Sequence, residues 1–103
     1  MLFKGVIDKV TNQKSVYLNQ QELVNHRKKS RFEWGHGGNG PADLAYYILY
    51  ELYGKDMADK NFQIFKWDRL STINKYKEWT MDKNEVDQYV TIITKGVDFG
   101  KII

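Results

Sequence analysis

The most unusual stretch of this chain is RFEWGHGGNGPADLA, residues 31–45, which contains four of the eight glycines and the only proline, Pro41. Proline suits the first position of a helix, because its missing N–H would have no partner there. Asp43 would then lie in the first helical turn, where a negative charge is favourable. The stretch therefore predicts a glycine-rich loop that leads directly into a helix.

The residues after the loop continue a helical pattern. Leu44, Ile48 and Leu52 recur at every fourth position and would form one apolar face. Gly54 is a typical residue just beyond a helix end. The sequence predicts a helix from Pro41 to Tyr53.

Two interpretations of the loop are open. Backbone N–H groups at a helix start can bind a phosphate or a carboxylate, which would make the segment 35–42 an anion-binding loop. Alternatively, the glycines form a tight structural joint that lets Trp34 pack beneath the helix. The motif ends in Gly-Pro-Ala and has the spacing G-x-G-G-x-G, so it matches neither the Walker loop nor the dinucleotide fingerprint. We favour the joint. The motif residues are Phe32, Glu33, Trp34, Gly35, His36, Gly37, Gly38, Gly40 and Pro41.

The segment before the loop has a β pattern. Residues Leu2–Val10 and Lys14–Leu18 are rich in β-branched and aromatic residues, with turn-forming residues between them, and predict a β-hairpin. The polar segment Gln20–Arg31 reads as a connection. Arg31–Trp34 could add a short strand.

Two further helices are predicted after Gly54. The first runs from Asp56 to about Ile73, with a buried stripe that begins at Ala58. The second opens at the capping sequence Asp82-Lys-Asn-Glu85 and ends near Gly96, and the tail 97–103 could form a strand. The expected fold is one α+β domain over residues 1–103: a small antiparallel sheet packed against about three helices.

Composition limits the class of protein. A chain of 103 residues can bury a single core without disulfides, and it contains no cysteine. No apolar run approaches the roughly 20 residues that span a bilayer, and the N-terminus lacks the pattern of a signal peptide. We expect a cytoplasmic protein with no membrane partner.

The net charge of +3 is concentrated in the N-terminal part. The first 40 residues carry seven bases and three acids. The charge peaks in a basic cluster formed by Arg27, Lys28, Lys29 and Arg31. Such a cluster is often only a solvated loop, but it can also steer an acidic partner.

The sequence offers little for catalysis. Glu33 and His36 could form an acid–base pair, but no nucleophile accompanies them. His26 and His36 lack the spacing of metal ligands. We therefore expect a protein that is not an enzyme and holds no cofactor or metal.

Tyr46, Tyr50 and Tyr53 follow one face of the first predicted helix. They could stack bases or anchor a protein, but such a stripe is more often the edge of the core, with its hydroxyls in water. Trp67 and Trp79 are expected in the core. Tyr76 lies between two lysines in the one basic–aromatic cluster outside the N-terminal part.

The motif from Phe32 to Ala45 resembles the signature FEWG-x-GG-x-GPA-x-LA of a family of small proteins encoded by phages, plasmids and bacterial chromosomes, whose function is unknown. The resemblance covers roughly residues 31–95 and includes the aromatic–lysine segment Phe65-Lys-Trp67 and the later Trp79. The motif implies an architecture but no reaction.

Length and pattern are also similar to one group of phage-type anti-CRISPR proteins, which inhibit the type II-A effector Cas9. This resemblance implies a mobile-element protein that blocks a host defence complex, Cas9 with its guide RNA, in the host cytoplasm. A net basic chain is unsuited to simple DNA mimicry, so the partner would be RNA, an acidic surface or the assembled complex. The alternatives are a basic nucleic-acid-binding module and a small-anion-binding enzyme or sensor that uses the Gly-rich loop.

Overall fold

The computed structural model describes the backbone of residues 1–25 and 31–102 and the side chains of residues 1–25 and 31–92. In chain order the elements are β1 (Leu2–Ile7), β2 (Lys14–Leu18), β3 (Gln21–Glu22), α1 (Asn39–Tyr53), α2 (Lys55–Asp68), a 3-10 helix (Leu70–Thr72), β4 (Trp79–Asp82) and α3 (Lys83–Ile102). The strands form one antiparallel sheet in the order β3-β2-β1-β4. The helices pack on one face of it, so the predicted α+β class is confirmed.

The predicted hairpin is confirmed, although β1 ends at Ile7 and not at Val10. The chain leaves the strand at Asp8, whose Oδ1 accepts the backbone N–H groups of Val10 at 2.8 Å and Thr11 at 3.0 Å. These two hydrogen bonds, that from Thr11 first, hold the pKa of the Asp8 carboxyl below its usual value. The turn is therefore closed by a side chain as well as by the strand ladder.

The other strands differ from the prediction. Residues 31–34 are not a strand, and two residues of the expected connection, Gln21 and Glu22, pair with β2 as β3. The fourth strand is β4, which no sequence argument predicted. Trp79 lies opposite Gly5 on β1, and Met81 lies opposite Phe3. Both β4 side chains are buried, and the absence of a side chain at Gly5 leaves room for the indole of Trp79.

Helix α1 confirms the predicted helix but begins two residues earlier, at Asn39. Pro41 is consequently the third helical residue and Asp43 the fifth, so the prediction that Asp43 lies in the first turn is wrong. Asp43 is instead buried, with 3% of its surface exposed. Gly54 ends the helix as predicted: it has a φ of 91° and donates its N–H to the carbonyl of Tyr50 at 2.9 Å.

Helix α2 ends at Asp68, five residues before the predicted end. Arg69 leaves helical geometry, and a single 3-10 turn then carries Leu70 into the core. The predicted apolar stripe nevertheless continues to Leu70, because a single 3-10 turn leaves the side chains near the face that is buried in α2.

Helix α3 begins where the capping sequence predicted. The Oδ1 atom of Asp82 accepts the N–H of Glu85 at 2.8 Å. The helix continues through Gly96 to Ile102, so the predicted stop and the predicted strand at 97–103 are wrong for the described residues, which exclude Ile103. A glycine costs a helix only about 1 kcal/mol relative to alanine, and no strand partner is present for the tail among the described residues.

The core lies between the sheet and the helices. Its largest fully buried side chain is Trp34, and Trp79 is also buried, as predicted. The prediction that Trp67 belongs to the core is wrong, because 58% of its surface is exposed. No helix in the described part of the chain has both the length and the apolar character that crossing a bilayer requires.

Candidate functional site at the Gly-rich loop

The Gly-rich loop joins the sheet side of the core to the start of α1. Phe32 and Trp34, which precede the glycines, are both buried. The indole N–H of Trp34 donates to the carbonyl of Lys77 at 3.0 Å, and its ring meets that of Trp79 edge-on at 5.6 Å. The loop therefore starts from a fixed point in the core, beneath the segment that leads into β4.

Gly35 turns the chain out of the core. Its φ is 84°, in the left-handed region that favours glycine, and its N–H donates to the carbonyl of Leu70 at 3.0 Å. A side chain here would lie 2.4 Å from the Cβ atom of Lys75 and 2.7 Å from its backbone N and Cα. Position 35 is thus restricted to glycine by both conformation and space.

Gly37 lies against the indole of Trp67. A side chain at this position would come within 2.1 Å of the ring. The carbonyl of Gly37 accepts a hydrogen bond from the ammonium of Lys66 at 3.0 Å, and this ammonium lies 4.3 Å from the centre of the Trp67 ring. Lys66 is 6% exposed, so the carbonyl and the ring together stabilise an almost buried cation.

Gly40 and Glu33 pack against each other at the start of α1. A side chain at Gly40 would lie 2.6 Å from the Cβ atom of Glu33. The carboxylate of Glu33 pairs with Lys14 of β2 at 2.9 Å, and the Lys14 ammonium also lies 5.0 Å from the centre of the Trp34 ring. Through these contacts the helix start is fixed to the sheet.

The structure engages Glu33 and His36 in different contacts. While Glu33 pairs with Lys14, the Nδ1 atom of His36 accepts the N–H of Gly38 at 3.1 Å. The two side chains are thus engaged with different partners, and the acid–base role of the pair stays a prediction.

Several polar groups of the loop are used inside the protein. The N–H groups of Gly35, Gly38 and Ala42 donate to Leu70, His36 and Gly38, respectively. Pro41 has no N–H to offer. These bonds favour the joint, because the same donors would be needed by an anion. Anion binding by the loop stays a prediction.

Of the predicted basic cluster, only Arg31 is described, and it is exposed. Arg27, Lys28 and Lys29 lie outside the described residues, as does His26. In the described part of the chain no three histidine, cysteine, aspartate or glutamate side chains come together as metal ligands would.

The tyrosine stripe of α1 divides into two parts. Tyr46 stacks on Tyr50 with ring centres 6.1 Å apart, and its hydroxyl donates to Asp59 of α2 at 3.0 Å. Tyr50 is 46% exposed. Tyr53, by contrast, is half-buried and donates its hydroxyl to Asp87 of α3. The stripe thus serves packing at one end and is open to solvent at the other.

The Tyr53–Asp87 contact links α1 to α3 electrostatically. Burial, and then the hydrogen bond to Asp87, raises the pKa of the Tyr53 hydroxyl above its usual value. Lys83, whose ammonium lies 2.8 Å from the carboxylate, and Tyr53 together hold the pKa of Asp87 below its usual range. The carboxylate therefore stays ionised and the phenol stays protonated over the neutral pH range.

Sequence reasoning missed two residues of this site, Lys66 and Trp67. A signal was present: Trp67 follows Ala58 by nine residues, which places it on the helix face opposite the buried stripe. The prediction that Trp67 lies in the core relied on its hydrophobic character alone. The contact with Gly37 had no local signal, because it joins two segments thirty residues apart in sequence.

The fold and the loop define a class of small α+β protein in which a glycine-rich joint connects a four-stranded antiparallel sheet to a helical layer. The model of a family of unknown function, DUF6166, matches residues 4–92, and the chain belongs to that family. Searches of curated proteins and of solved structures found no match.

Proposed function

We propose that this protein is a non-enzymatic binding protein that blocks a host defence complex, with Cas9 and its guide RNA as the first partner to test. The Cas9 part of the proposal rests on the resemblance to phage-type anti-CRISPR proteins. The family match does not bear on it, because that family carries no known activity. Binding through positive charge is supported by where the basic cluster is attached.

The observation that carries the proposal is the attachment of the basic cluster at both ends. On the N-terminal side, the side-chain amide of Asn25 donates to the carboxylate of Asp43 at 2.8 Å. On the C-terminal side, the carbonyl oxygen of Arg31 lies 3.1 Å from the position that a Cβ atom would take at residue 40, so it is close to Gly40. The next residue, Phe32, is buried. Both ends of the segment therefore meet the first turns of α1.

The sequence between these two ends is rich in positive charge. Four of the six residues from 26 to 31 are arginine or lysine, and the flanking residues Asn25 and Phe32 are both fixed beside α1 or in the core. Clustered charge of one sign raises the rate of encounter with a partner of opposite sign and orients it. A ribonucleoprotein offers such a partner in its RNA phosphates, and an acidic protein surface offers another.

The test is a Cas9 cleavage assay with the purified protein, run beside gel shifts on guide RNA and on target DNA without Cas9. We expect dose-dependent inhibition, and we expect neutralisation of the basic cluster to leave any shift of free nucleic acid unchanged. The variant Lys28→Gln/Lys29→Gln should weaken inhibition. The matched control Lys9→Gln/Lys60→Gln removes the same charge from two exposed sites elsewhere and should leave inhibition unchanged.

Two results would contradict the proposal. Absence of inhibition by the wild-type protein would remove Cas9 as the partner. Equal loss in both double variants would show that net charge, and not the cluster, determines binding.

Nucleic-acid binding through the same cluster is the second candidate. It is favoured by the exposed Tyr50 ring, which stacks on Tyr46 along α1 and offers a surface on which a base can stack. A gel shift on free guide RNA that weakens steeply with salt would support it.

A further inference from the structure

A second surface of the molecule combines exposed aromatic rings with lysines around the Gly-rich loop. We call it the loop face and define it by the exposed residues His36, Trp67, Lys75, Tyr76 and Lys77. None of these residues belongs to the basic cluster. We propose that the loop face binds single-stranded nucleic acid, with Trp67 and Tyr76 as stacking platforms for bases and Lys75 with Lys77 as contacts for phosphates.

Trp67 is built as a platform with one open side. Gly37 and the Lys66 ammonium, which is bonded to the carbonyl of Gly37, both contact its ring. The residue nevertheless keeps 58% of its surface exposed. The ring is therefore held in place on one side and faces solvent on the other, which is the arrangement that a stacking base requires.

Tyr76 follows Lys75, whose backbone lies against Gly35, and is 79% exposed. The ammonium of Lys75 lies 5.1 Å from the centre of its ring. The N–H of Tyr76 donates to the side chain of Asn74 at 2.9 Å, which closes a local turn and orients the segment. A second ring beside a cation is thus presented from a structured turn.

The glycines bring the two flanks together. Gly35 touches the backbone of Lys75, and Gly37 touches the ring of Trp67. Because Cα atoms two residues apart are separated by at most about 7 Å, the two contacts lie side by side. Single-strand binding sites cover about 4 nucleotides or more, so one strand can contact both sides of the loop.

Charge favours nucleic acid over protein as the occupant. The exposed Lys75 and Lys77 and the almost buried Lys66 carry three positive charges, against two on the exposed carboxylates of Asp68 and Glu78. The nearby Glu33 is paired with Lys14. The centres of protein–protein interfaces are depleted in lysine, whereas lysines beside exposed rings are typical of single-strand binding surfaces.

The test uses fluorescently labelled dT12 and U12 oligonucleotides, without Cas9, and follows their anisotropy over a range of salt concentrations. We expect saturable binding of at least one of the two, and the comparison identifies DNA or RNA as the better ligand. Tyr76→Ala should weaken binding on the order of tenfold or more, which is the usual effect of losing one stacked base. Ile92→Ala, which removes an exposed apolar side chain from α3, should have no effect.

The phosphate contacts are tested separately. Lys75→Gln/Lys77→Gln should lower the slope of log affinity against log salt by about 1.4, since each single-strand contact contributes about 0.7. The control Lys9→Gln/Lys60→Gln should leave the slope unchanged. Trp67→Ala should also weaken oligonucleotide binding, and its thermal unfolding curve shows whether the variant is folded. If Trp67→Ala does not fold, Tyr76→Ala still tests the proposal, because Tyr76 is largely exposed.

The proposal is overturned if the wild-type protein binds neither oligonucleotide, if Tyr76→Ala binds as tightly as wild type, or if a 12-base-pair duplex binds as well as the single strands. Loop-face variants that lose Cas9 inhibition without any oligonucleotide binding would show a protein contact and also overturn it. The reverse result, oligonucleotide binding without Cas9 inhibition, supports the loop face and contradicts the function proposed above.

Discussion

The indole of Trp67 lies directly against Gly37, and the backbone of Lys75 lies directly against Gly35. The two glycines are two positions apart but differ in what surrounds them. Beside Gly37 is the outer edge of an exposed side chain, which can move. Beside Gly35 is backbone, which cannot move without disturbing the segment that leads to β4.

Alanine substitutions should separate these two positions. Gly35→Ala combines a left-handed φ with a backbone clash and should lower the free energy of unfolding by about 2 kcal/mol or more. Gly37→Ala should cost about 1 kcal/mol or less, because the solvent on the open side of the Trp67 ring lets the ring shift outward while it stays against the loop. Urea unfolding of both variants measures the difference, and equal losses would contradict it.

The β1–β4 pairing depends on Gly5. A side chain there would lie 2.2 Å from the indole nitrogen of Trp79, which is 8% exposed and packs edge-on against Trp34. We expect Gly5→Ala to destabilise the protein by about 1–3 kcal/mol through overpacking. Thermal unfolding measures the loss.

A paired substitution checks the cause. In a Trp79→Phe background the ring is smaller, so Gly5→Ala should cost less than in the wild type. An unchanged cost would show that the clash with Trp79 is not the reason.

The Tyr53–Asp87 contact predicts a pH dependence. The folded protein lowers the pKa of Asp87, so the contribution of this carboxylate is complete above the ordinary value of about 4 and is lost as the pH falls through the folded pKa. The pKa of Tyr53 is raised, so its contribution is complete below about pH 10 and is lost as the pH rises through the folded pKa.

Urea unfolding of wild type and Asp87→Asn across the pH range measures both effects. The stability difference between them should be level through neutral pH and should shrink at both extremes. Tyr53→Phe keeps the ring, should lose the alkaline decline, and should reduce the acid decline, because Lys83 alone then lowers the pKa of Asp87. A difference that stays constant down to pH 2 would exclude the Asp87 contribution.

The three tryptophans should differ in how readily a quencher in solution reaches them. Trp34 and Trp79 are buried, whereas Trp67 is 58% exposed. Acrylamide should therefore quench part of the emission readily and leave the rest protected. Trp67→Phe should remove the readily quenched part, and uniform quenching in the wild type would contradict the exposure of Trp67.

Local patterns were sufficient for much of the secondary structure. The hairpin, the three helix starts to within two residues and the helix end at Gly54 can be recognised from neighbouring residues. The signals are period-two alternation, apolar spacing, a glycine with positive φ and the side-chain cap at Asp82. The Gly-rich motif itself also marked the site, because so many glycines before a helix indicate a special backbone geometry.

The sequence by itself therefore determined the α+β class, the helical layer and the position of the joint. The tertiary structure decided what the joint touches. β4 pairs with β1 across more than seventy residues, Trp67 turns away from the core, and α3 continues through Gly96. Each of these outcomes depends on a contact between segments that are distant in sequence. The free energy of such a contact depends on both segments, so it cannot be predicted from the local sequence of either one.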